Sequence, residues 1–119
     1  MLFATGSDEI NTQGHDELDK LASAVSELIK EIPEDIQWTL QVNGHTDKRP
    51  ITGTSGRFKS NWDLSAARAI AVVRYLADKG IPPTHLAAAG FGEFQPLEEG
   101  DTDESLSKNR RIELKLTER

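Results

Sequence analysis

The sequence predicts an α+β fold of order β-α-β-α-β-β, with two main helices packed on one face of a mixed sheet. Three observations carry this. Apolar residues recur at helical spacing from Leu18 to Ile32. Residues 36–43 and 111–117 alternate strictly between apolar and polar. Residues 63–79 return to a helical pattern that is apolar almost all round. Alternating strands present one polar face, so the helices belong on the other.

Residues 1–4 read as a short strand, with Leu2-Phe3-Ala4 as its apolar part. A polar connection then leads to Asn11 and Thr12, either of which can cap a helix. Asp16 and Glu17 fall near its first turn, where the helix dipole favours acid. Leu18, Leu21, Ala22, Val25, Leu28, Ile29 and Ile32 mark one face, and Pro33 ends the helix. Ile36, Trp38, Leu40 and Val42 then alternate with Gln37, Thr39, Gln41 and Asn43, the mark of a half-buried strand. The second helix runs from Asp63 to Lys79, with Trp62 placed before it as a hydrophobic staple. Gly80 fits its C′ position, and Pro82-Pro83 prevents continuation. An alanine-rich strand at 85–91 and a last strand at 111–117 complete the order. Two connections are long, 44–62 and 92–109, and loops of that length are commonly functional. The second is acidic, yet its Asp and Glu lack the spacing of a calcium loop.

The chain has 119 residues, enough for one domain over 1–119 with a real core. Its net charge is -6, which argues against a general nucleic-acid binder and against anionic membrane surfaces. The absence of cysteine excludes disulfides, thiolate catalysis and cysteine-type zinc sites. The apolar residues directly after Met1 read as the start of an excised domain.

Asn43-Gly44-His45-Thr46-Asp47 follows the alternating strand, at the strand end where ligands of open sheets commonly bind. Asp47 there either caps a turn or offers its carboxylate to a ligand. Arg68 sits in Ala66-Ala67-Arg68-Ala69-Ile70-Ala71 and must reach water or a carboxylate. Together the two fit an amino-acid zwitterion, Asp for the ammonium and Arg for the carboxylate. A purely structural Asp47–Arg68 salt bridge is the alternative. His45 with Asp47 lacks a third metal ligand, and no Gly-x-Ser-x-Gly elbow is present, so neither a metal site nor a hydrolase is expected. Asn109-Arg110-Arg111 is too short for a nucleic-acid patch; it reads as one outward arginine on the last strand and one at its entry.

Gly44-His45-Thr46-Asp47, Asn61-Trp62-Asp63-Leu64-Ser65-Ala66-Ala67-Arg68-Ala69, Gly90-Phe91-Gly92 with Pro96, and Asn109-Arg110-Arg111-Ile112-Glu113 occur in this order. So arranged, the chain resembles the OmpA C-terminal-like peptidoglycan-binding domain over nearly its whole length. The long insert from Lys48 to Ser60 makes it most similar to the MotB-like branch. The resemblance implies non-covalent binding of peptidoglycan through meso-diaminopimelate of the stem peptide, with no catalysis and no cofactor or metal. It implies that Asp47 takes the ammonium and Arg68 the carboxylate. Thr46 offers backbone contacts, Asn61 and Leu64 shape the wall, and Arg111 braces the site. It further implies a periplasmic location, tethered to the inner or outer membrane by an upstream segment and anchoring a membrane protein or complex to the cell wall. A homodimer is compatible with the resemblance. The alternative function is a dimerisation or scaffold module that has lost wall binding, or occludes it with the 44–62 loop.

Overall fold

The structure is a computed structural model and describes residues 2–3, 7–49 and 58–118. Helix α1 spans Thr12–Lys30, and its N-cap is Asn11, whose Oδ1 accepts the Gly14 amide at 2.7 Å. Its buried face is Gly14, Leu18, Ala22 and Val25, the stripe set by the 3.6-residue period. The helix stops at Lys30, short of Ile32, because Pro33 keeps the residue before it out of the helical region.

Strand β1 covers Trp38–His45, two residues later at its start than the alternation predicts. It is the centre of a three-stranded sheet of order β2-β1-β3. Strand β2, Leu86–Gly92, runs parallel to it, and β3, Arg111–Glu118, antiparallel. The register places Leu40 between Leu86 and Leu116, and Gly44 between Gly90 and Ile112. It slips between Gly44 and His45, so His45 faces Gly92. Bulges of this kind re-aim side chains at the rims of sheets.

Helix α2 spans Asn61–Asp78, with Ser60 as N-cap. Trp62 therefore lies inside the helix rather than before it, and it is exposed, packing on Phe94 with ring centroids 4.6 Å apart. The helix exits through Gly80 at φ 102°, a conformation that L side chains avoid. Its first turn lies tight against the sheet. A Cβ on Gly44 would collide with the Ser65 carbonyl oxygen, and one on Gly90 would stand 2.6 Å from the Ala66 nitrogen. Ser65, fully buried, accepts the Gly92 amide and donates to the Trp62 carbonyl, both at 2.9 Å.

Two features depart from the sequence expectation. The strand expected over 1–4 reduces, among the described residues, to one antiparallel bridge between Phe3 and Ile10. The long connection at 92–109 contains a short helix, α3, at Asp103–Asn109, capped by Thr102. One core joins Leu18, Ala22 and Val25 of α1 with Trp38, Leu40 and Val42 of β1 and Ala69, Val72 and Leu76 of α2, so both main helices share the same face of the sheet.

Candidate functional site at the end of the central strand

The segment after β1 turns inward because its polar groups are satisfied there. The Thr46 amide donates to the Gly92 carbonyl at 2.9 Å, and the Thr46 hydroxyl donates to the Asp47 carbonyl at 2.9 Å. Asn61, at the head of α2, donates from Nδ2 to the carbonyls of Asp47 at 3.2 Å and Arg49 at 2.9 Å. Thr46, Asp47 and Asn61 are all buried. Thr46 and Asn61 thus hold the loop, and the Thr46 amide is already spent within the fold.

The Asp47 carboxylate is gripped from two directions. Oδ1 accepts the Arg49 amide at 2.9 Å, and Oδ2 accepts Arg49 Nε at 3.2 Å and Nη2 at 2.9 Å. Oδ2 also accepts Nη1 of Arg110 at 2.5 Å. Burial pushes the carboxyl up, but the hydrogen bonds from Arg49 and Arg110 together outweigh it and hold the group below its ordinary value.

Arg68 projects from α2 and is 7% exposed. Its Nε donates to the Ser7 carbonyl at 2.8 Å, and its guanidinium lies 5.1 Å from the Phe3 ring centroid. Burial lowers its pKa first and the charge of Arg110 second, while Asp47 and Asp8 act in the opposite direction. A guanidinium keeps its proton through such a shift. Among the described residues Asp47 forms ion pairs with Arg49 and Arg110, and its charge also acts on Arg68.

Beside Asp47 lies a cavity of about 160 Å³, lined by the polar or charged Arg68, Arg110, Arg111, His45 and Glu17 and by the apolar Leu2, Phe3 and Ile112. Arg110 belongs both to the cavity and to Asp47, which links the two. Among the described residues, His45 Nδ1 and Arg110 Nε are buried without a hydrogen-bond partner. His45 stacks on Phe91 at 5.1 Å, and its Nε2 meets Glu113 Oε1 at 3.0 Å. Burial and then the charge of Arg111 lower its pKa, against the pull of Glu113. Arg111 is itself fixed, with Nε donating to Glu113 at 2.7 Å and Nη2 to the Gln95 carbonyl at 3.0 Å.

Of the six expected site residues, Asp47, Thr46 and Asn61 meet in the loop after β1, and Arg68 and Arg111 meet at the cavity. Leu64 is buried one turn before Arg68 and does not line the cavity. Sequence reasoning missed Arg49 and Arg110. Arg110 is not an idle arginine at a strand entry: it is the C-cap of α3, and that placement turns it onto Asp47. The signal available was proximity alone, one arginine two residues past the key aspartate and one in Asn109-Arg110-Arg111.

The OmpA family model matches residues 2–110. The chain belongs to the OmpA family. It is 36% identical over 115 residues to the uncharacterized protein YtxE of Bacillus subtilis, covering 96% of this chain and 43% of that one. It is 34% identical over 95 residues to the peptidoglycan-binding protein ArfA of Mycobacterium tuberculosis, covering 80% of this chain and 26% of ArfA. The crystal structure of the periplasmic domain of Helicobacter pylori MotB superposes with a TM-score of 0.82 at 29% identity, covering 99% of this chain and 70% of that one. The chain spans less than half the length of these two curated relatives.

Proposed function

We propose that this OmpA-family domain binds peptidoglycan non-covalently in the periplasm and anchors a membrane protein or complex to the cell wall. The ligand is the zwitterionic end of diaminopimelate in the stem peptide, and no bond is made or broken. Asp47 receives the ammonium; Arg68, with Arg110 near it, receives the carboxylate. The names of ArfA and of the MotB periplasmic domain support the polymer and the compartment. The observation that carries the site is the buried Asp47 carboxylate beside a cavity that Arg68 and Arg110 line. The Arg49 amide on Oδ1 fixes the orientation of the Asp47 carboxylate and leaves Oδ2, which the side chains of Arg49 and Arg110 share among the described residues, as the oxygen that can exchange one cation for another. Thr46 and Asn61 fix the loop so that this oxygen keeps its place, and Arg111 braces the opposite wall.

The test is co-sedimentation of the domain with purified sacculi that contain diaminopimelate, with the free amino acid as competitor. Wild type sediments, and free diaminopimelate releases it. Arg68→Ala loses binding while its circular dichroism spectrum stays that of a folded domain, because removing one partner of a charge-assisted pair costs about 2–5 kcal/mol. Sedimentation of Arg68→Ala equal to wild type would refute the site. Wild type that never sediments would refute wall binding itself.

A further inference from the structure

Asp47 holds two guanidiniums of different character. Arg110 reaches Oδ2 with a side chain that is 23% exposed, whereas the Arg49 side chain is 51% exposed. Arg49 grips the same Oδ2 with two nitrogens, so it covers the carboxylate from the more open side. It also has a second carboxylate in reach: Asp103, at the head of α3, lies 3.7 Å from Arg49 Nη1 and is almost fully exposed.

We propose that Arg49 competes with the ligand's ammonium for Asp47, and so sets how well the site tells a zwitterion from a plain carboxylate. This rests on the reading of Asp47 and Arg68 as the diaminopimelate site. With Arg49 in place, the Asp47 carboxylate already accepts from two guanidiniums, those of Arg49 and Arg110, so an ammonium reaches its open side only by displacing a cation. When Arg49 swings to Asp103, the Asp47 carboxylate is freed on its open side. The Arg49 amide still holds Oδ1, so the orientation of the carboxylate survives the exchange. The ammonium then replaces the guanidinium, charge for charge. A plain dicarboxylate gains nothing from this exchange, because it brings no cation to Asp47. Arg49 is therefore a specificity-determining residue that acts against binding.

The experiment compares meso-diaminopimelate with pimelate, the dicarboxylate of equal chain length without amino groups, by calorimetric titration at one ionic strength. R49Q removes the charge and keeps most of the side-chain length. R49Q binds meso-diaminopimelate roughly two- to fivefold more tightly than wild type, the range expected for releasing a half-exposed ion pair. It binds pimelate no more tightly. R49K keeps a charge but loses the two-pronged grip, and falls between wild type and R49Q. Thermal unfolding confirms that both variants are folded before titration. Weaker binding of meso-diaminopimelate by folded R49Q would overturn the inference and make Arg49 a support for Asp47. An equal gain for both ligands, or no change, would overturn it as well. Wild type that binds no meso-diaminopimelate would instead overturn the site on which the inference rests.

Discussion

At Asp47, burial and hydrogen bonding pull the carboxyl in opposite directions, and the hydrogen bonds win. A carboxyl depressed in the folded state binds protons less readily than the same group in the unfolded chain. Its stabilisation is therefore present above the unfolded value, about 3.9, and is lost as the pH falls through the lower folded value. Asp47→Asn removes that dependence. Thermal unfolding from pH 2 to 7 should show wild type losing stability below about pH 4 more steeply than Asp47→Asn. Parallel curves would mean that Asp47 is not the coupled group. Arg110 tests the same carboxylate from the other side. Arg110→Ala leaves Arg49 on Oδ2, so the loss is smaller than for a buried charge stripped of every partner. We expect about 1–3 kcal/mol in urea unfolding, below the range for a fully buried pair broken on one side.

At the level of elements, α2 places Arg68 only because β1 and β2 let its first turn come close. Gly44 and Gly90 are the points of approach, and both face backbone atoms that cannot step aside alone. Gly90→Ala must push the turn of Ala66 away, and Arg68 with it. Overpacking of this kind costs about 1–3 kcal/mol, and sacculus binding should fall together with stability. Gly80→Ala meets no atom within 4 Å and pays only for its positive φ. It should cost about 1 kcal/mol or more and leave the binding of the folded fraction unchanged. Urea unfolding and co-sedimentation of both variants separate the two cases; equal loss of binding in Gly80→Ala would contradict the argument. The same elements show what the sequence could reveal. Helices α1 and α2 and strands β1 and β3 announce themselves by period, because each turns its apolar residues to one face, whereas β2 is legible only as an alanine-rich stretch. Helix α3 does not announce itself, since Leu106 is its single buried apolar residue and leaves no period to see. Its signals were the Thr102 cap and the acidic first turn of Asp103 and Glu104, which the long acidic stretch hid. Asp47 and Arg68 were legible because a charge at a strand end or inside an apolar helix asks for an explanation. Arg49 and Arg110 were not, because arginines next to loops ordinarily face water. Residues 50–57 of the long insert lie outside the described residues, so whether that insert covers the site rests on the sequence alone.

Across the whole molecule the charge is unevenly placed. The chain carries -6 overall, yet Arg49, Arg68, Arg110 and Arg111 gather at one end of the sheet, where Asp47 pairs with Arg49 and Arg110 and Glu113 with Arg111. A protein with this net charge gains nothing from general attraction to a wall polymer rich in carboxylates. Under the proposed function, binding comes instead from the local constellation, which matches both charges of one residue. That makes the state of the wall decisive. A cross-link that acylates the diaminopimelate amine turns an ammonium into a neutral amide and removes the partner proposed for Asp47. Amidation of the free carboxylate likewise removes the partner proposed for Arg68. The domain should therefore load onto sacculi in proportion to stems whose ammonium and carboxylate are both free. Each lost charge should weaken a single stem by about tenfold or more, the effect of removing one buried charge-assisted contact. Co-sedimentation with sacculi of graded cross-linking and graded amidation, at equal polymer mass, checks this directly. Loading that follows polymer mass alone would mean that glycan or general surface contacts, not the Asp47 and Arg68 constellation, hold the domain to the wall.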